Sequence, residues 1–392
     1  MNLDYTGKLS IEHVLERTPA AEVTAVEHFK APPYDNDLFL GDNLPILKHL
    51  LSRKKKVQLI YIDPPYASKQ SFSHRKRLNE KAYDDILMGA EFVEFLRRRL
   101  IFLRELLSEE GSIYVHLDCN MIFQAKIVMD EIFGVSNFRN LICRQKCHSK
   151  NYTSKQYGSV ADFILFYSKT KKMKWNKPFE HQNKYSFEQR FPRIDKSGRR
   201  FALVPIYAPG VRNGETGKPW RGKNPPHGKH WQVPPKVLDE LDAADEIYWS
   251  PTGNPRRKVY AEFNKGVPVQ NVWTKFMDFR NQNMNETGYP TEKNALMLKR
   301  IIEASSDAGD TVLDCFCGSG TTLSVADQLD RRWIGMDIGK LAVEITKKRL
   351  LSGEKIEKET EPCLPFENGD SKPPRIERGF TLYHSKTEAS PL

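Results

Sequence analysis

The 392-residue chain predicts an α/β fold built on a doubly wound, mainly parallel sheet with a segment inserted into it. Three observations carry that expectation. Apolar runs of strand length alternate with amphipathic helical stretches over about 37–169 and again from 291. The stretch "TVLDCFCGSGTT" runs a strand through a glycine turn into a helix. Between these regions, about 170–285, the pattern breaks into sequence rich in Pro, Gly, Asn, Lys, Arg, Trp and Tyr.

Residues 1–36 are polar and irregular, apart from a helix at "IEHVLER". "DLFLGDNLPILKHLL" predicts a short strand ending at Gly41-Asp42. A helix follows with Leu44, Leu47, Leu50 and Leu51 on one side. "VQLIYID" is a buried strand by its near-continuous apolar content. After a polar loop at 67–88, "EFVEFLRRRLIFLRELLSEEG" predicts an amphipathic helix stopped by Gly111. "SIYVHLD" is the next strand, "MIFQAKIVMDEIFG" the next helix, and "ADFILFYSK" a further strand. The segment that follows has one short helix near "PKVLDELDAA" and too many aromatics for a disordered linker. "TEKNALMLKRIIEASS" then predicts a helix capped by Thr291. "LSVADQL" and "LAVEITKKRLL" are helices flanking the strand "RWIGMDI". The tail, 353–392, is charged and poor in apolar residues before "GFTLYH". The expected organisation is an N-terminal segment 1–36, one half of the α/β domain at 37–169, an insertion at 170–285, the second half at 286–352, and the tail.

The formal net charge is +11, and residues 144–230 hold 20 Lys or Arg against 5 Asp or Glu. That local excess of +15 favours a polyanionic partner over a merely solvated surface only when other features agree. No apolar run reaches the length of a membrane span, and the first residues lack a leader's basic-then-apolar pattern, so a cytoplasmic location is expected. The six cysteines are scattered and read as reduced thiols. Cys143, Cys147 and His148 lack a second ligand pair, so no metal site is expected.

Two motifs carry chemistry. Asp63, Pro64, Pro65 and Tyr66 follow the apolar run at 57–62. The two prolines fix two φ angles and remove two donors, leaving a stiff ledge with a carboxylate at one end and an aromatic ring at the other. Such a ledge suits a flat, polar ligand. The second motif is the turn holding Gly318 and Gly320. It lacks the lysine of a phosphate loop and the third glycine of a dinucleotide fingerprint. Asp337 ends the next strand, 19 residues after Gly318, where an acid commonly holds ribose hydroxyls. The pocket therefore reads as built for an adenosine without a pyrophosphate.

Together "DPPY" and "DCFCGSGTT" resemble the amino-methylating DNA methyltransferases that use S-adenosylmethionine. Having the tetrapeptide before the glycine turn resembles their permuted β subgroup, of restriction-modification or orphan type. The resemblance covers about 37–169 and 286–350, and it places the family's target recognition domain in the insertion. It implies a Rossmann-like methyltransferase sheet in permuted order. It further implies that Asp63 and the Pro64 backbone, on the ledge with Pro65, accept hydrogen bonds from the exocyclic amine of a flipped base, and that Tyr66 stacks on that base. Phe316, Gly318 and Gly320 would line the cofactor pocket, with Asp314, Ser319, Thr321 and Thr322 of the same segment. Asp337 would hold the ribose and Asp42 the adenine. "YPTEKN" is similar to the segment that closes over the cofactor, making Thr291 and Lys293 candidates. The chain departs from the family's commoner forms at Ala67, Tyr289, Asn294, Cys315 and Cys317.

The resemblance implies methyl transfer to adenine N6 in double-stranded DNA, since an acid opens the tetrapeptide. Cytosine N4, an RNA or protein amide, and an inactive DNA-binding fold remain alternatives. A restriction endonuclease and a second copy of the chain are further candidate partners.

Overall fold

The computed structural model describes residues 3–65, 89–149, 155–180, 184–278, 292–353 and 378–386. These residues fall into two compact units. The larger takes 3–178, 270–353 and 378–386, and the smaller takes 179–269. No helix among the described residues is long and apolar enough to cross a membrane.

The larger unit begins with α1 (Ile11–Arg17), β1 (Val23–Phe29), β2 (Tyr34–Leu40), α2 (Asn43–Ser52) and β3 (Val57–Ile62). It continues with α3 (Ala90–Leu106), β4 (Leu107–Leu117), α4 (Ile122–Phe133), β5 (Phe138–Gln145) and β6 (Ala161–Ser168). After the smaller unit come β15 (Val272–Trp273), α7 (Ala295–Ser305), β16 (Thr311–Asp314), α8 (Thr321–Gln328), β17 (Arg332–Asp337), α9 (Lys340–Ser352) and β18 (Gly379–Ser385).

All ten strands join one sheet in the order β1-β18-β2-β17-β16-β3-β4-β6-β5-β15. Only β1 and β6 run against the rest. Side chains alternate between faces. Ile60 and Ile62 of β3, with Leu313, Ile334 and Met336, join the cluster formed by α2, α3 and α4. Tyr114 of β4 points the other way, to Ser305 of α7, at 2.8 Å. The sheet is thus doubly wound, with β3 beside β16 although some 250 residues separate them. The two halves of the chain meet where the strand order reverses, and the crevice at the carboxyl ends of such strands is where open α/β sheets bind ligands.

Four expectations are corrected. The helix expected to stop at Gly111 ends at Leu106, and β4 starts at once. An added Cβ on Gly111 would lie 2.8 Å from Leu107 Cδ2 and 3.1 Å from the Gln58 carbonyl. The glycine serves a close approach at an irregularity in the β3–β4 register, not a helix cap. α7 is capped by Asn294, whose side chain accepts from the N–H groups of Leu296 and Met297, and not by Thr291. Residues before 37 are not merely irregular, since they supply β1 and the first three residues of β2. The tail contributes β18, which pairs with β1 on one side and β2 on the other.

The smaller unit holds β7 (Phe179–Glu180), α5 (Lys184–Arg190), β8 (Arg193–Ile194), β9 (Arg200–Pro205), β10 (Tyr207–Pro209), β11 (Lys229–Trp231), α6 (Pro235–Ala243), β12 (Ile247–Trp249), β13 (Pro255–Tyr260) and β14 (Val267–Pro268). Its largest sheet has the order β12-β13-β9-β8. Trp220 and Trp231 are buried with Leu238 and Ile247 in its main core. The indole N–H groups of Trp220 and Trp249 donate to Asp239 and Asp242 of α6 at 2.9 and 2.8 Å. Bulky aromatics with satisfied donors let a short, loop-rich unit keep a core.

Candidate active site

β3 is buried along its whole length, and Asp63 is the first residue past its carboxyl end. Pro64 is buried behind it and Pro65 is half-buried. Lys293 lies just before α7, and its Nζ sits 2.7 Å from Asp63 Oδ2. The neighbouring residues of that segment are also pinned. Glu292 pairs with Arg349 of α9, and Asn294 caps α7 while donating to the Met277 carbonyl at 3.3 Å. Tyr66 and Thr291 lie outside the described residues.

Beside this ledge, β16 ends at Asp314, which is 2% exposed. Asp314 accepts from the Phe316 N–H at 3.0 Å. Burial raises its carboxyl to about 7, against the help of Thr322 and the Phe316 amide, and the charges of Asp63 and Asp337 add to the rise. The glycine turn then uses positive φ at Gly318 (51°) and Gly320 (74°). A Cβ on Gly320 would lie 2.7 Å from the Thr346 side chain. The Gly318 carbonyl accepts from Thr346 Oγ1 at 2.9 Å. Arg349 reaches the Ser319 carbonyl and Thr321 Oγ1, both at 2.8 Å. Ser319, Thr321 and Thr322 are themselves buried, so this part of the segment holds the turn's shape.

Asp337 ends β17 with its carboxylate accepting from the N–H groups of Gly318 and Gly339, at 2.9 and 2.8 Å. Burial pushes its carboxyl up, and those amides oppose the rise. Asp42 caps α2 through the Leu44 N–H at 3.0 Å, beyond the end of β2. A cavity of about 560 Å³ brings Asp42, Phe316 and Asp337 together, with Phe95 and Arg99 of α3 on the same wall. Its lining joins the Asp42 and Asp337 carboxylates to aromatic surface, as a purine nucleoside with hydroxyls requires. Of the expected residues, Asp42, Phe316 and Asp337 face one cavity. Asp63 and Lys293 form a pair at the ledge. Asp314, Ser319, Thr321 and Thr322 lie behind the turn.

Several site residues were not foreseen. Arg99 donates to Asp42 Oδ1 at 2.9 Å and to Asn43 Oδ1 at 2.5 Å, and stacks 3.5 Å from the centre of the Phe95 ring. Asn43 Nδ2 in turn donates to the Cys315 carbonyl at 2.6 Å, which ties the start of α2 to the glycine turn. The one available signal was Arg99 recurring on the apolar face of its helix. A buried polar chain also runs beneath the ledge. Tyr61 Oη lies 2.7 Å from His116 Nδ1, and His116 Nε2 lies 2.9 Å from Asp162 in a close but poorly directed contact. Arg144 grips Asp162 with two nitrogens, at 2.8 and 2.5 Å, and reaches Asp278 at 3.0 Å. Although burial works against its charge, the His116 and Arg144 partners hold the Asp162 carboxyl well below the usual range.

The N6/N4 DNA methylase family model matches residues 57–348. The chain is 42% identical over 402 residues to the type II methyltransferase M.EcaI of Enterobacter cloacae, covering all of this chain and 88% of that protein. It is 28% identical to the Mod subunit of the type III restriction-modification enzyme StyLTI of Salmonella typhimurium, covering 82% of this chain but only 54% of that subunit. A solved structure of M1.HpyAVI with SAM matches 80% of the chain at 17% identity, with a TM-score of 0.44. With three quarters of its length inside the family model, from the ledge strand into α9, the chain belongs to the N6/N4 DNA methylase family.

Proposed function

We propose that the protein transfers a methyl group from S-adenosylmethionine to the N6 amine of adenine in duplex DNA, as the modification enzyme of a restriction-modification system. The observation that carries the reading is the Asp63-Pro64-Pro65 ledge at the end of β3, directly beside the glycine turn of β16. The residues present fit the cofactor. The cavity has room for an adenosine, an acid at each of two strand ends, and aromatic side chains between them. Asp337 would hold the ribose hydroxyls, Asp42 the adenine amine, and Phe316 the methionine side. The cofactor, when bound, supplies a methyl group already activated by its sulfonium.

The chain's own residues would do the rest. The target amine is conjugated with its ring, so its lone pair is a poor nucleophile. Asp63 and the Pro64 carbonyl would accept its two N–H groups and free that lone pair. Both acceptors are fixed by a buried strand and a proline, so the alignment costs little reorganisation. In the structure an ammonium already sits on Asp63 Oδ2, where the Lys293 Nζ stands as a cationic N–H donor. Lys293 would compensate the carboxylate until the base arrives. The base must leave the duplex to reach the ledge, and Tyr66 would stack on it.

Adenine is favoured because an acid opens the tetrapeptide. The smaller unit is the proposed reader of the DNA sequence. It exposes Arg190, Arg193, Lys196, Arg212 and Lys229 for phosphate contact. Incubation of the purified protein with duplex DNA and labelled S-adenosylmethionine, followed by nucleoside mass spectrometry, tests the reading. N6-methyladenine supports it. N4-methylcytosine would keep the enzyme and replace the base. No methylated nucleoside would overturn the proposal.

A further inference from the structure

Residues 3–9 form a tight turn against α3 and α4. The Lys8 N–H donates to the Tyr5 carbonyl at 3.3 Å, and Gly7 at the bend takes φ +87°. Three anchors hold the turn. Tyr5 Oη donates to Glu94 Oε2 at 2.6 Å. Lys8 Nζ reaches Glu131 Oε2 at 2.7 Å. Arg97 donates to the Leu9 carbonyl at 2.7 Å and grips Glu131 with its other nitrogens, at 3.2 and 3.0 Å. Arg97 is 1% exposed and Glu94 8%. Burial and the Glu94 carboxylate push the Tyr5 phenol well above its usual range, so it stays a donor.

Holding charged groups out of water is costly unless they are well paired. Neither the ledge nor the glycine turn uses these groups. Their placement is explained by what they present. Thr6 and Gly7, at the tip of the turn, line the same cavity as Asp42, Phe316 and Asp337, and Glu94 belongs to both the anchor and the cavity wall.

We propose that residues 3–9 are a strap across the cofactor cavity: Thr6 and Gly7 supply wall that contacts bound S-adenosylmethionine, and Tyr5 and Lys8 position them through Glu94 and Glu131. The proposal rests on the reading of this cavity as the cofactor site. The strap slows escape of the ligand, because part of the exit is closed by a segment pinned at both ends. Tyr5 is a positioning residue and touches no reacting atom.

Calorimetry and stopped-flow dissociation of S-adenosylmethionine from wild type, Tyr5→Phe and Thr6→Trp test this, with thermal melts alongside. Tyr5→Phe keeps the ring and removes the anchoring hydroxyl. It should raise Kd and the dissociation rate, by at most about tenfold, the worth of one hydrogen bond to a charged group. Thr6→Trp keeps the anchors and should weaken binding by filling the cavity mouth. If both variants bind and release the ligand as wild type does, the strap is refuted, and a lowered melting temperature alone would mean the segment serves packing only. Failure of wild type to bind the ligand would instead overturn the cofactor reading, and the strap with it.

Discussion

At Asp63 the decisive property is where the carboxylate stands, at the rigid end of a buried strand with an ammonium on one oxygen. Asp63→Ala should abolish methyl transfer and leave S-adenosylmethionine binding nearly intact, because the carboxylate is assigned to the amine. Asp63→Asn keeps the shape and one acceptor. If charge dominates, its single-turnover rate should fall by about a hundredfold or more. Full activity in the Ala variant would make the ledge purely structural. Asp314 makes a separate prediction. Its carboxyl is raised to about 7, above its unfolded value, so its contribution to stability is full in acid and is lost as pH rises through that value. Melting temperatures of wild type should fall from about pH 4 to about pH 7 more steeply than those of Asp314→Asn. Equal slopes would show that Asp314 is ionised without strain.

At the scale of elements, Gly111 marks where strand geometry overrides helix pattern. The run from Phe92 to Leu106 is helical, but the next residues pair with β3 and the glycine lets the strands approach. Gly111→Ala should destabilise the fold by about 1–3 kcal/mol, as overpacking does, measured by denaturant melts. A helix-capping glycine would have given a loss through φ instead, and Gly111 has no positive φ. What was legible in the sequence follows the same logic. β3, β6, β16 and β17 are buried on both faces and read as apolar runs. β1 is an edge strand, mostly exposed, so its residues carry no burial signature. β18 is buried but sits beyond a charged stretch that hides it. The glycine turn and Asp337 were readable because backbone conformation and strand ends demand particular residues. The Lys293–Asp63 pair and the Arg99–Asp42 contact were not, since each joins positions that only the folded chain brings together.

For the whole molecule, the basic excess of 144–230 straddles both units, so charge alone does not locate the DNA-reading surface. The proposal assigns it to 179–269. Exchanging that unit for the matching one of a relative should change the methylated sequence while leaving the product nucleoside the same, as read by methylation-sensitive sequencing. An unchanged motif would place recognition in the larger unit. Nonspecific affinity should fall steeply with salt, since phosphate contacts release counterions.

The placement of β18 sets an order in time. β2 stands between β17 and β18, and β3 stands beside β16, so strands made early in synthesis wait for partners made some 250 or more residues later. A growing chain that has passed residue 117 owns β3, β4 and Asp63, but it lacks the glycine turn, Asp337 and Lys293. Closure of such distant pairs is slow compared with local folding. Interrupted synthesis therefore releases chains that carry Asp63 without the rest of the proposed site. The proposed methylating power would appear only in molecules whose synthesis has passed Lys293 and Asp337.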